Sequence, residues 1–162
     1  MNPTRRQAIA SLSAAIAGLA SAQEATKPQT IAGNNRTSLH YEIEFKASPQ
    51  RIYTAILDEK QFAAFSGLPA KIDPAPGGKF SMFGGQIEGR NVELVPNQRI
   101  VQAWRPTHWD QGVYSIVHFE FKPRGGATLL IFDHTGFPAD DRDSLDAGWT
   151  SHYWDPLKKF LA

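Results

Sequence analysis

Residues 146–161 read DAGWTSHYWDPLKKFL. Leu145, Trp149, Tyr153, Leu157 and Leu161 recur every four residues, with Trp154 and Phe160 beside them. That spacing lays one apolar, largely aromatic face along a helix. Lys158 and Lys159 stand at its C-terminal end, where the helix dipole favours cations. Pro156 has no N–H to offer the carbonyl of His152, so a bend is expected there. A helix carrying this much ring area needs a concave apolar surface to cover.

The residues before it supply that surface. Asp140, Asp141 and Asp143 suit a helix N-terminus. Upstream, Gly78–Phe83, Gln86–Leu94, Arg99–Arg105, Val113–Lys122 and Ala127–Thr135 read as strands, with a further short one near Lys71. Their connectors carry Gly84-Gly85, Pro96-Asn97, Gln111-Gly112 and Gly125-Gly126, and short connectors imply antiparallel neighbours. Ser38–Lys46 alternates, with Leu39, Tyr41, Ile43 and Phe45 on one face. Ser48-Pro49 opens a helix, and Asp58 caps a second that ends at Gly67 and Pro69. The outline is α+β: one strand, two short helices, an antiparallel sheet, and a long terminal helix facing the sheet's concavity.

The chain has 162 residues, enough for one domain with a sizeable core. It has no cysteine, which excludes disulfides, thiol chemistry and cysteine metal sites. Arg5 and Arg6 precede a mild apolar run, Ala8 to Ala20, closing on Ala20-Ser21-Ala22. That layout predicts a signal peptide over residues 1–22 cleaved after Ala22, and the paired arginines favour the twin-arginine route. The expected location is periplasmic or secreted. The run is shorter than the ~20 apolar residues that span a membrane, so no stable span is expected after cleavage. Cleavage removes two arginines and no acid, leaving 15 basic against 16 acidic residues, a net charge of −1. Such a balance gives no footprint for nucleic acid. Residues 23–37 are polar and aperiodic, a flexible leader to a domain over 38–162.

Several motifs in order carry a resemblance: PGGKFSMFGGQIEGRNVELVPNQRIVQAWR from Pro76, YS, GGATLLIFDHTGFP, and GW followed by YWDPLKKFL. Over Leu39 to Leu161 the chain resembles the activator of heat-shock protein ATPase homologue family of the START-like (SRPBCC) superfamily. The resemblance implies a helix-grip fold, a curved antiparallel sheet wrapped around a long C-terminal helix. It also implies a cavity between them that often holds a hydrophobic ligand. In the eukaryotic co-chaperone such a domain is the C-terminal half and binds the ninety-kilodalton heat-shock chaperone. Here only a leader precedes Leu39, and export would separate the chain from a cytosolic chaperone.

The candidate ligand-binding residues are Phe80, Met82, Gln102, Trp104, His134, Trp149 and Tyr153. They are apolar and aromatic with three polar groups, Gln102, His134 and the Tyr153 hydroxyl, the composition of a small-molecule site. The same rings also suit a solid aromatic core. His134 shares a strand face with Leu130 and Phe132, and is the candidate general acid–base if the domain is a cyclase- or hydrolase-like enzyme. His108-Trp109-Asp110 either rims a pocket or packs as an ordinary turn. His118 and His152 are expected in solvent. No spacing matches a metal motif, a nucleophile elbow or a phosphate loop, so no metal or cofactor is expected. Three functions follow: binding a hydrophobic or aromatic small molecule, docking on a chaperone, or acid–base catalysis through His134.

Overall fold

A computed structural model describes residues 36–162; the expected signal peptide and most of the leader lie outside them. The elements are β1 (Arg36–Phe45), α1 (Pro49–Leu57), α2 (Glu59–Ser66), β2 (Lys71–Ile72), β3 (Lys79–Met82), β4 (Ile87–Val95), β5 (Arg99–Pro106), β6 (Ser115–Arg124) and β7 (Ala127–Pro138). A C-terminal helix follows in three parts: α3 (Arg142–Gly148), a π-helical segment (Trp149–Trp154) and α4 (Asp155–Leu161).

The strands form one antiparallel sheet in the order β1-β7-β6-β5-β4-β3-β2. The first and last strands pair, so α1 and α2 must carry the chain from one sheet edge to the other. α1 starts as its sequence dictates: the Ser48 side chain accepts from the N–H of Arg51, and Pro49 occupies the first turn. Asp58 caps α2 through the N–H of Gln61, and Gly67 ends it in the left-handed conformation.

Two bulges bend the sheet. One lies between Thr37 and Ser38 opposite β7; the other lies between Asn91 and Glu93. The second turns Val92 out to solvent and Asn91 fully inward. β1 opens two residues ahead of the expected Ser38, because Arg36 and Thr37 pair with Pro138 and Phe137.

The inner faces of the strands and the C-terminal helix share one core. Ile43, Phe45, Ile100, Phe119, Leu130 and Phe132 meet Trp149, Tyr153, Trp154, Leu157 and Leu161. The four-residue ladder is modified at its centre. The N–H of Asp155 donates to the carbonyl of Thr150, five residues back, and α register resumes with Pro156 in the first turn of α4. A wider turn brings Tyr153 and Trp154 together onto the buried face, where ordinary helical pitch would turn one of them aside. The expected bend at Pro156 is therefore realised as a change of hydrogen-bond register just before it.

Candidate functional site

The centre of the domain is a directional chain of hydrogen bonds. The Trp149 indole N–H donates to Nδ1 of His134 at 3.0 Å. Nδ1 is thereby the acceptor, so the imidazole proton resides on Nε2. Nε2 lies 2.7 Å from Oγ of Ser115, whose hydroxyl donates to the carbonyl of Trp104 at 3.3 Å. A second chain starts on the neighbouring ring. The Trp104 indole donates to Oε1 of Gln102, Gln102 donates to Oδ1 of Asn91, and Asn91 donates to the carbonyl of Asp73. The two indoles stack at 4.6 Å and 27°.

Both chains run through buried groups: His134, Gln102 and Asn91 are each 0% exposed and Ser115 1%. Burial pushes the His134 pKa down to about 3. The ring is neutral and both its nitrogens are engaged within the protein, Nδ1 by Trp149 and Nε2 by Ser115. Gln102 is likewise consumed by its neighbours. In this structure the polar atoms of both are bonded within the protein, where they hold the sheet to the helix and to the Asp73 loop. Met82 is fully buried, and Phe80 packs on the Trp104 ring at 6.2 Å.

Much of the concavity between sheet and helix is filled by rings. Trp149 lies 4.4 Å from Phe132 and stacks on Trp154 at 5.2 Å. The open space is at one end, a cleft of about 650 Å³. Three of the seven expected residues line it, Trp104, Trp149 and Tyr153. Leu68, Phe83 and Ile87 add apolar wall, and His108 and His152 add polar groups. The Tyr153 hydroxyl is buried and has no hydrogen-bond partner among the described residues. Burial pushes the phenol pKa up, so it is a neutral donor.

Phe83 enters the cleft from a strained turn. Its φ is +54°, unusual for a bulky side chain, and Gly84 and Gly85 continue in the left-handed region. The Gly84 N–H bonds the carbonyl of Pro69, which fixes the turn against the end of α2. The Phe83 ring then packs on Phe62 at 5.1 Å and Tyr153 at 6.2 Å.

A family model described as activator of Hsp90 ATPase homolog 1-like protein matches residues 46–162. The chain belongs to this family. The human activator of 90 kDa heat shock protein ATPase homolog 1 is 30% identical over 115 residues, 71% of this chain and 34% of the relative. The Dictyostelium discoideum activator of 90 kDa heat shock protein ATPase homolog is 34% identical over 116 residues, 71% of this chain and 30% of the relative. The chain thus spans about a third of the length of these relatives. The crystal structure of an HSP90 activator from Plasmodium falciparum superposes with a TM-score of 0.72 at 28% identity, covering 76% of this chain and 95% of that one. The Aha1 dimer from Colwellia psychrerythraea, at 18% identity and a TM-score of 0.67 over 77% of this chain and 96% of that one, shares the fold.

Within this activator-family domain, the end of β5 at Pro106 and the β5–β6 loop at Thr107 and His108 form one side of the cleft. Asp141 holds it. Its carboxylate accepts from the Trp109 indole, and one of its oxygens lies 3.1 Å from Nε2 of His108. Arg105 adds a bond to the Trp109 carbonyl at 2.7 Å. Asp141 was expected to cap the terminal helix, but its side chain makes no cap bond. Trp109, 7% exposed, is packed rather than free at a rim. His152 is exposed on the cleft side of the helix, and His118 is half-buried near Asp133 on the outer sheet face. Asn91, Ser115 and Asp141 carry no motif; only a fold that brings distant strands together reveals them.

Proposed function

We propose that the domain binds an apolar or aromatic small molecule in the cleft between the Phe83 turn, the β5–β6 loop and the π-helical segment. The observation that carries this reading is Tyr153, which lines a largely apolar cleft and whose buried hydroxyl has no partner among the described residues. A buried polar group without a partner is costly, and a ligand acceptor would relieve that cost. The cleft's volume lies in the usual range for small-molecule sites. The paired arginines, apolar run and Ala20-Ser21-Ala22 support delivery of the domain to the periplasm or beyond.

Native mass spectrometry of the protein from its own cell fraction tests both parts. A chain beginning at Gln23 with a non-covalent small-molecule adduct is expected. An intact cytosolic chain would defeat the export reading, and an adduct that survives replacement of Tyr153 and Trp149 would defeat the cleft.

A second reading is favoured by the relatives, whose names describe activators of a 90 kDa heat-shock protein ATPase. Under it the domain docks on such a chaperone from the same compartment. Stimulation of a purified chaperone's ATP hydrolysis by the domain would bring this reading forward.

A further inference from the structure

The outer face of the sheet carries a second recess, of about 600 Å³, remote in kind from the aromatic cleft. Lys71, Lys79 and Arg90 line it with Ser81, Glu88 and Tyr114. The register explains the clustering. Lys79 stands directly opposite Arg90 across the β3–β4 pair, and Lys71 stands opposite Ser81 across β2–β3. Two like charges placed opposite on one sheet face destabilise the pair. Two neighbouring carboxylates are bonded elsewhere. Glu88 accepts from Arg105 at 2.8 Å, and Glu59 accepts from the backbone N–H of Ile72. No ion pair involves Lys71, Lys79 or Arg90 among the described residues.

The strands flanking this patch add exposed apolar surface. Arg90 faces Ala103, and Ala103 faces Ile116 in the next pair. Ile116 and Tyr114 are 42% and 45% exposed. The other half of the outer face is mixed in charge: Glu42, Glu44, Glu120 and Asp133 stand there with Lys122, His40 and His118. The chain is nearly neutral overall, so the cations are concentrated here by the register and not by composition.

We propose that the outer face of β2–β6 is a docking groove for an acidic peptide segment of a partner protein. Carboxylates of the segment would complete Lys71, Lys79 and Arg90, and its apolar side chains would rest on Tyr114 and Ile116. The distance across five strands, roughly 19 Å, matches about six residues of extended chain. Three cations in a concave recess suit a strand-like ligand better than a membrane, for which clusters of about four to eight basic residues are typical.

Fluorescence anisotropy with the full chain tests this, using a labelled hexaglutamate peptide and a hexaglutamine control. Hexaglutamate should bind at about 50 mM salt and weaken at about 300 mM, with no binding of hexaglutamine. The double variant Lys79→Glu, Arg90→Glu should lose at least about tenfold in affinity. Lys79→Glu alone should also raise the thermal midpoint by a few degrees, since it turns a like-charge pair into an opposite one. Tyr153→Phe should leave peptide binding unchanged, so failure here is separable from failure of the cleft. Absence of hexaglutamate binding at low salt, or equal binding by the double variant, overturns the groove. Sedimentation with anionic vesicles but no peptide binding would assign the patch to a lipid surface instead.

Discussion

The Trp149 indole N–H donates to Nδ1 of His134 at 3.0 Å, and this bond sets the tautomer of a ring with no exposed surface. The structural consequence is a pH dependence. Burial places the folded pKa at about 3, below the ordinary 6.5. Between those values the unfolded chain binds a proton that the folded chain refuses. Stability is therefore full above about pH 6.5 and falls as the pH drops towards 3, by at most about 1.4 kcal/mol per unit from this residue. Urea unfolding at several pH values should show that slope, and His134→Gln should flatten it. A nitrogen-detected NMR spectrum should keep the Nε2–H form at pH 5; a ring that charges near pH 6 would contradict the relay.

Tyr153→Phe removes a buried hydroxyl that has no partner among the described residues. Its effect on the free protein should be small, within about 1 kcal/mol and of either sign. Its effect on ligand retention should be large, because a buried donor of a cleft-lining residue that has no partner among the described residues is gone. Denaturant midpoints and adduct intensity in native mass spectrometry separate the two. A strongly destabilised variant would mean that the hydroxyl has a partner after all.

Gly89→Ala should be severe. A Cβ there would lie 2.0 Å from the Ala103 carbonyl oxygen and 2.4 Å from Cζ of Phe80. The Phe80 ring covers this glycine and meets Trp104. Relief requires moving β5 or expelling the ring, at a cost of about 2 kcal/mol or more. A thermal melt within a degree of the parent would refute this close approach.

Asp141→Ala should free the β5–β6 loop. Trp109 then keeps its burial but loses the acceptor of its indole N–H, at roughly 1–3 kcal/mol. Hydrogen exchange should quicken over residues 107–113 while β6 and β7 stay protected. Unchanged exchange in the loop would show that Arg105 and packing suffice.

Periodicity carried most of the fold. Alternation in β1 and the four-residue spacing of Leu145 to Leu161 each required one geometry, and the sheet followed from short connectors. The ordered motifs carried the family. The site was legible only in part. Trp104, Trp149 and Tyr153 were readable as inward rings, but which polar groups would be spent internally was not. His134 and Gln102 are satisfied by Ser115 and Asn91, which lie 19 and 11 positions away, and Asp141 reaches Trp109 across 32. No local pattern encodes such pairings. The π register was equally silent, although two adjacent large rings before a proline were its trace.

That π segment adds one residue to what plain α pitch would need between α3 and α4. Removing one residue from Thr150–His152 would restore plain α pitch while leaving α3 and α4 individually intact. Tyr153 and Trp154 would then no longer both point inward, and the cleft wall would turn by about 100° relative to the latch at Asp141. The domain therefore holds its aromatic wall through a length excess, and a single-codon deletion, not a substitution, is the smallest change that would convert this wall into a different surface.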